Sequence, residues 1–167
     1  STRVGGHETF VVEACEFHES FLQFHPTIAV VTNIEEDHLD YYKDLDDIFR
    51  AFVRFCRLLP QDGACIGNGD DPRVRDLLAL QPCRTVTYGL GPSCQWRPEN
   101  LAYDSTGCAS FDFAFEGTCM AHTALRVPGE FNVMHALATM AACVQVGIRP
   151  EAVAQSLSRF SAPHRRF

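Results

Sequence analysis

The sequence predicts an α/β fold, in which a mostly parallel sheet is flanked by helices and carries a small antiparallel β subdomain. Two observations support this class. Up to about residue 89, short continuous apolar runs alternate with helical patterns, and strands that are apolar on both faces are typical of parallel sheets. Beyond that point, apolar and polar residues alternate one by one, as in an antiparallel hairpin. With 167 residues, 46% of them hydrophobic, the chain is long enough for one domain with a full core.

The first half of the chain is predicted to alternate strands with helices. The helices at 44–59 and 71–80 have apolar residues at helical spacing, and each has an aspartate in the N-cap position, Asp44 and Asp71. Pro72 follows Asp71 and suits the first position of a helix. Around these helices we expect strands at 9–13, 27–32, 64–67 and 85–88, and a short helical turn at 20–24.

The second half is predicted to hold an antiparallel insertion at about residues 94–127, followed by two helices. Phe111, Phe113 and Phe115 alternate with smaller or polar residues, and the Glu116–Gly117 pair suits a tight turn. A helix is expected from 131 to 146, ending at Gly147, and another from 150 to 160.

Composition argues against two classes of partner and suggests a compartment. The net charge of −7 disfavours a general nucleic-acid or anionic-membrane surface, and no apolar run is long enough to span a bilayer. None of the eight cysteines forms a C-x-x-C pair, so we expect reduced thiols in a cytoplasmic protein. Both ends of the chain look cut, which leads us to expect a fragment of a longer protein.

Polar residues follow two of the predicted strands, where α/β folds place their ligands. Glu13 ends the first strand and is either a structural carboxylate, in a cap or salt bridge, or a ligand of Mg²⁺. His38 follows the second strand between Asp37 and Asp40, which could orient its ring; a loop histidine of this kind is otherwise simply solvated. If the two strands are neighbours, Glu13 and His38 converge, and a divalent ion between them would explain both.

Two further features have both a structural and a functional interpretation. Asn132 lies in the first turn of the predicted helix after Pro128, where it either supports close packing or offers its amide to the edge of a purine. The terminal HRRF contains Arg165 and Arg166, which are either a surface charge pair or a phosphate contact.

Taken together, five stretches resemble the Mur ligases in order and rough spacing. These stretches are VVEACEFHESFL, TIAVVTNIEEDHLDYYKDLDDI, NGDDPRVRDLL, VPGEFNVMHALA and HRRF, and TNIEEDHLDYY is the most specific of them. The resemblance spans nearly the whole chain and is closest to the alanine-adding branch. It implies the P-loop-type central ATPase domain of a three-domain enzyme. Since the sequence contains no Gly-Lys-Thr stretch, we expect this single-domain piece, 1–167, to lack the phosphate-binding loop and the N- and C-terminal domains.

The resemblance also implies a reaction. ATP, with Mg²⁺ or Mn²⁺, would convert the carboxylate of UDP-N-acetylmuramate into an acyl phosphate, which the amine of L-alanine would attack to form an amide in peptidoglycan synthesis. The positions that match functional residues of the family are Glu13 and His38 for catalytic metal ions, Asn132, His135 and Arg166 for the nucleotide, and Asn33 and Glu35 for the substrate.

Some positions depart from the family pattern. Cys15 stands where an aspartate is common, Phe131 replaces a histidine before the adenine asparagine, and His135 replaces a second asparagine. The helix after the Asp-His motif has no lysine, so a carbamylated lysine is not expected.

The alternatives are another ligase of the superfamily, for murein peptide recycling or glutamate addition to folate, or a catalytically inactive isolated domain. An incomplete sheet would also expose an edge, so self-association of the fragment is expected.

Overall fold

The computed structural model describes residues 5, 6 and 8–161, which form one six-stranded sheet with helices packed against it. The strands lie in chain order, and their bounds are β1 Ile28–Val31, β2 Ala64–Asn68, β3 Arg84–Tyr88, β4 Trp96–Tyr103, β5 Cys108–Phe115 and β6 Thr118–Pro128. The helices are α1 Leu45–Cys56, α2 Pro72–Ala79, α3 Glu130–Gln145 and α4 Pro150–Leu157, and a 3₁₀ segment covers Phe17–Gln23. No helix in the described part of the chain has the length and hydrophobicity needed to cross a bilayer.

The first three strands are parallel, with α1 and α2 as the connections, so the predicted fold class is confirmed. Both predicted N-caps are present: Asp44 accepts a hydrogen bond from the backbone of Asp47, and Asp71 accepts bonds from Arg73 and Val74. These caps satisfy backbone N–H groups that a helix leaves without partners in its first turn.

The antiparallel strands continue the parallel sheet. Tyr88 of β3 pairs in parallel with Trp96 of β4, and β4, β5 and β6 then pair antiparallel. The expected tight turn joins β5 to β6, where Glu116 and Gly117 have φ angles of 50° and 83°. Two successive residues with positive φ match the twist of the flanking strands, and glycine adopts this conformation without strain.

Two apolar clusters form the core. The larger packs the inner face of β4–β6 against α3 and α4, with Trp96, Phe111 and Leu137 fully buried. The smaller packs α1 and α2 against β1 and β2, with Ile48, Val74 and Leu77 at its centre.

The strand predicted at residues 9–13 is wrong. This segment forms no regular secondary structure, and Phe10 and Val11 are 82% and 87% exposed. A run of β-branched and aromatic residues shows only that a segment fits a pleated, buried surface, and it needs a neighbouring strand to become one. Among the described residues no strand pairs with it, and β1 stands at the edge of the sheet with Val30 40% exposed.

Candidate active site

The loop that follows β1, residues 32–42, lies at the carboxyl end of the parallel strands. Its backbone is fixed at Ile34, because the N–H of Ile34 donates to Asp71 Oδ2 at 3.3 Å and the Ile34 side chain is buried in the smaller core. At its far end, Tyr42 is buried and its hydroxyl donates to the backbone oxygen of Glu16 at 2.5 Å. The loop is therefore attached both to the N-terminus of α2 and to the segment that precedes β1.

Three side chains converge on this loop. His38 Nε2 lies 3.7 Å from Glu16 Oε1, and His38 Nδ1 lies 3.7 Å from Asp37 Oδ1. The potential ligand atoms of Glu16, Asp37 and His38 all fall within 4.8 Å of one another, and they form the one such group of histidine, cysteine and carboxylate side chains among the described residues. Glu16 faces Nε2 and Asp37 faces Nδ1, so one carboxylate can share a cation with the imidazole while the other lies on its opposite side.

The position of His38 is set by strained backbone and by an aromatic neighbour. Its φ angle is 53°, an uncommon value for a residue other than glycine, and its N–H donates to Asp37 Oδ1 at 2.7 Å. The Phe17 ring lies against the imidazole, with ring centroids 4.5 Å apart. Burial, with the nearby charges of Glu19 and Glu16, raises the pKa of Tyr42 to about 12, so its hydroxyl keeps its proton at neutral pH.

A cavity of about 180 Å³ opens beside this group. Its polar lining includes Glu16, Asn33, Glu35 and Asp37. The Asn33 amide donates to Glu35 Oε1 at 2.5 Å, so these two side chains form a joined pair on the cavity wall. The cavity is small, and its three carboxylates suit a bound cation.

The donor set fits a divalent cation. Carboxylate oxygens are the preferred ligands of Mg²⁺, and an imidazole adds affinity for Mn²⁺. Ligands around an ion with bonds of about 2.1 Å lie roughly 3–4 Å apart, close to the 3.7 Å between Glu16 and His38. With an ion on the Nε2 side, Asp37 would face Nδ1 and orient the ring, which is the usual arrangement behind a metal-binding histidine.

The predicted site residues are only partly brought together. Glu13, expected to converge on His38, lies in the exposed segment before the 3₁₀ turn and is outside the group around His38, because the strand that was to carry it does not form. Asn132 lies in the first turn of α3 as expected, and its amide donates to the Pro128 oxygen at 2.7 Å. His135 is exposed one turn further on, its ring 5.9 Å from that of Phe131. Arg166 lies outside the described residues.

Sequence reasoning missed the contributions of Glu16, Tyr42 and Asp71 to this site. Glu16 was visible only as the second glutamate of EACE, and it is followed by a turn with positive φ at His18 and Glu19. Tyr42 and Asp71 act through contacts with residues 26 and 37 positions away, which no local pattern reveals.

Comparisons with known proteins find relatives that match over essentially the whole chain. Residues 1–143 match the family described as Mur ligase middle domain. The UDP-N-acetylmuramate–L-alanine ligase of Clostridium beijerinckii is 38% identical over 165 residues, and that of Acetivibrio thermocellus is 40% identical over 168. The chain is covered to 99% and 100% in these matches but spans only 36% of the length of either relative.

Solved structures show the same fold. The Neisseria ligase that joins UDP-N-acetylmuramate to L-alanyl-γ-D-glutamyl-meso-diaminopimelate superposes with a TM-score of 0.77 and 26% identity, over 87% of this chain and 44% of that one. The UDP-N-acetylmuramate–alanine ligase of Thermotoga maritima gives a TM-score of 0.74 and 26% identity, over 89% of this chain and 32% of that one.

Proposed function

Since this chain belongs to the Mur ligase family, as a middle domain, we propose that the protein containing it joins L-alanine to UDP-N-acetylmuramate at the expense of ATP. The observation that carries the proposal is the group formed by Glu16, Asp37 and His38 beside a polar cavity at the carboxyl end of the parallel strands. The names of the curated relatives, which match over essentially the whole chain, favour L-alanine as the amino acid.

The reaction needs an activated carboxylate, because a free carboxylate is a poor electrophile. ATP supplies the phosphoryl group that makes an acyl phosphate, and a bound Mg²⁺ or Mn²⁺ supplies positive charge beside the phosphate oxygens. His38 would hold that cation through Nε2, while Asp37, whose Oδ1 lies 3.7 Å from Nδ1, would favour this ring orientation by its charge. Asn33 and Glu35 would contact the substrate from the cavity wall.

The carboxylate that joins His38 at the metal has two candidates. The geometry supports Glu16, whose carboxylate lies 3.7 Å from the imidazole. The family resemblance supports Glu13, and the two are only three residues apart in the same segment. Separate Glu13→Gln and Glu16→Gln variants, titrated with Mn²⁺, would distinguish them. The variant that lacks the true ligand should lose most of its Mn²⁺ affinity, and the other variant should keep it.

The nucleotide would be bound at a second place on the sheet. Asn132 and His135, both near the start of α3, would contact the base, and Arg166 would approach the phosphates. One amide proton of Asn132 is engaged by Pro128, which leaves its side-chain oxygen to accept a hydrogen bond from a purine amino group. In this proposal the chain is the central domain, residues 1–167, of a cytoplasmic enzyme.

The proposal is tested by phosphate release from the full-length protein. With Mg·ATP and UDP-N-acetylmuramate, release should require L-alanine rather than other amino acids, and it should collapse in His38→Ala. Release that depends on a tripeptide instead would favour a murein peptide ligase, for which the similarity to the Neisseria enzyme is the supporting observation. Absence of any substrate-dependent release would contradict the proposal.

A further inference from the structure

Asp71 is bonded to two different parts of the molecule at once. Its Oδ1 accepts the N–H groups of Arg73 at 2.8 Å and Val74 at 3.2 Å, which caps α2. Its Oδ2 accepts the N–H of Ile34 at 3.3 Å, in the loop that carries the candidate site. An ordinary N-cap needs one acceptor oxygen, so the second oxygen has a separate structural task.

Asp71 bonds to the chain between two residues that line the cavity. Ile34 stands between Asn33 and Glu35, and its own side chain is 5% exposed. Because the side chain is anchored in the core and the N–H is held by Asp71, the peptide that carries Asn33 and Glu35 has a fixed orientation. His38 follows four residues later in the same loop.

We propose that Asp71 is a positioning residue, which uses its second carboxylate oxygen to hold the loop 32–38 in the geometry that the site needs. The loop is thereby attached to the N-terminus of α2. The bond to Ile34 stands on the structure alone, whereas its consequence for metal binding rests on the proposed function.

The substitution Asp71→Asn separates the two tasks of the side chain. Asparagine is as good an N-cap as aspartate, so its oxygen keeps the bonds to α2. Its amide then faces the Ile34 N–H, donor against donor, and that bond is lost. Asp71→Ser is a second variant, since a serine hydroxyl can cap α2 but offers no second oxygen to Ile34.

Asp44 provides the matched control. It caps α1 through a single bond from the Asp47 N–H at 2.8 Å, and that bond stays within its own helix terminus. Asp44→Ala should lower the unfolding midpoint by about 2–4 °C, because a cap is lost. It should leave the Ile34 amide and the metal site unchanged.

The experiment measures amide hydrogen exchange at Ile34, relative to Ile66 in the central strand β2, together with Mn²⁺ affinity by electron paramagnetic resonance. For Asp71→Asn and Asp71→Ser we expect Ile34 exchange to quicken by about tenfold and Mn²⁺ affinity to fall roughly tenfold, with no larger loss of unfolding midpoint than in Asp44→Ala. If Asp71 only capped α2, its variants would lose stability as Asp44→Ala does, without a specific change in Ile34 exchange or Mn²⁺ affinity.

Other outcomes separate this proposal from the proposed function. Unchanged Ile34 exchange and unchanged Mn²⁺ affinity in both Asp71 variants would overturn the positioning role. Faster Ile34 exchange with unchanged Mn²⁺ affinity would also overturn it, because the anchor would then not matter to the site. If the full-length wild-type protein binds no Mn²⁺, the metal-binding part of the proposed function fails, and the Ile34 exchange rate still decides whether Asp71 holds the loop.

Discussion

The segment that carries the candidate site, residues 8–42, and the antiparallel part with its helices, residues 96–157, use their apolar residues in opposite ways. In the first, Phe10 and Val11 are 82% and 87% exposed and Phe21 is the one fully buried aromatic before β1 among the described residues. In the second, Phe111 and Phe113 are completely buried between the sheet and α3. The second region is held by packing, whereas the first combines the smaller apolar core, which includes Phe21, Ile34 and Tyr42, with a small number of specific bonds.

Both regions contain non-glycine residues with positive φ angles, Asn100 and Glu116 in the antiparallel part and three in the site segment. His18, Glu19 and His38 all have positive φ angles within the site segment, a conformation that is unfavourable for these residue types unless surrounding contacts impose it. Those contacts are individual ones, such as the Tyr42 hydroxyl on Glu16 and the ion pair between Arg54 and Glu19. Substitutions should therefore change stability in the packed region, and should change the site geometry in the segment.

The sharpest test of this contrast compares two phenylalanines. Phe111→Ala should lower the free energy of unfolding by about 3–5 kcal/mol, because a fully buried ring leaves a cavity. Phe10→Ala should change it by no more than about 0.5 kcal/mol, since the ring is already in water. Urea unfolding followed by circular dichroism measures both. Equal losses would show that residues 9–13 are packed, and the contrast would be wrong.

Thiol reactivity should divide the cysteines by their burial rather than by region. Cys15 and Cys119 are exposed, whereas burial and the nearby Asp70 carboxylate raise the pKa of Cys94 to about 11. At pH 8 in native protein, iodoacetamide should alkylate Cys15 and Cys119 roughly a hundredfold faster than Cys94. Peptide mass spectrometry over a time course gives the rates. Rapid labelling of Cys94 in folded protein would contradict its burial.

The hydroxyl of Tyr42 tests the bonds that hold the site segment. Tyr42→Phe should cost about 0.5–1.5 kcal/mol, the usual value of one hydrogen bond, whereas Tyr41→Phe at the exposed neighbour should cost little. The effect should also depend on pH. Because the pKa of Tyr42 is raised to about 12 in the folded protein, its stabilising contribution is complete below pH 10 and is lost as pH rises from 10 through 12.

Unfolding free energies of wild type and Tyr42→Phe, measured between pH 8 and pH 12, should therefore converge at the alkaline end. A difference between the two proteins that stays constant over this range would mean that the Tyr42 hydroxyl does not titrate as its environment suggests.

The comparison also explains what could be predicted from the sequence. The caps at Asp44 and Asp71 and the Glu116–Gly117 turn were predicted correctly, because the bonds and dihedral angles concerned lie within four residues of each other. The strand at 9–13 was wrong because its apolar pattern carries no information about whether a partner strand is present. Glu16 approaches His38 from 22 positions away in the chain, a contact that no local pattern indicates.

Mn²⁺ titration followed by electron paramagnetic resonance tests most directly whether His38, together with one neighbouring carboxylate, binds a divalent cation. His122→Ala is the matched control, because His122 also pairs with an aspartate, Asp112, at 2.7 Å but on the antiparallel part of the sheet. We expect a saturable Mn²⁺ site in wild type and in His122→Ala, weakened at least about tenfold in His38→Ala. Equal Mn²⁺ affinity in wild type and His38→Ala would contradict the account.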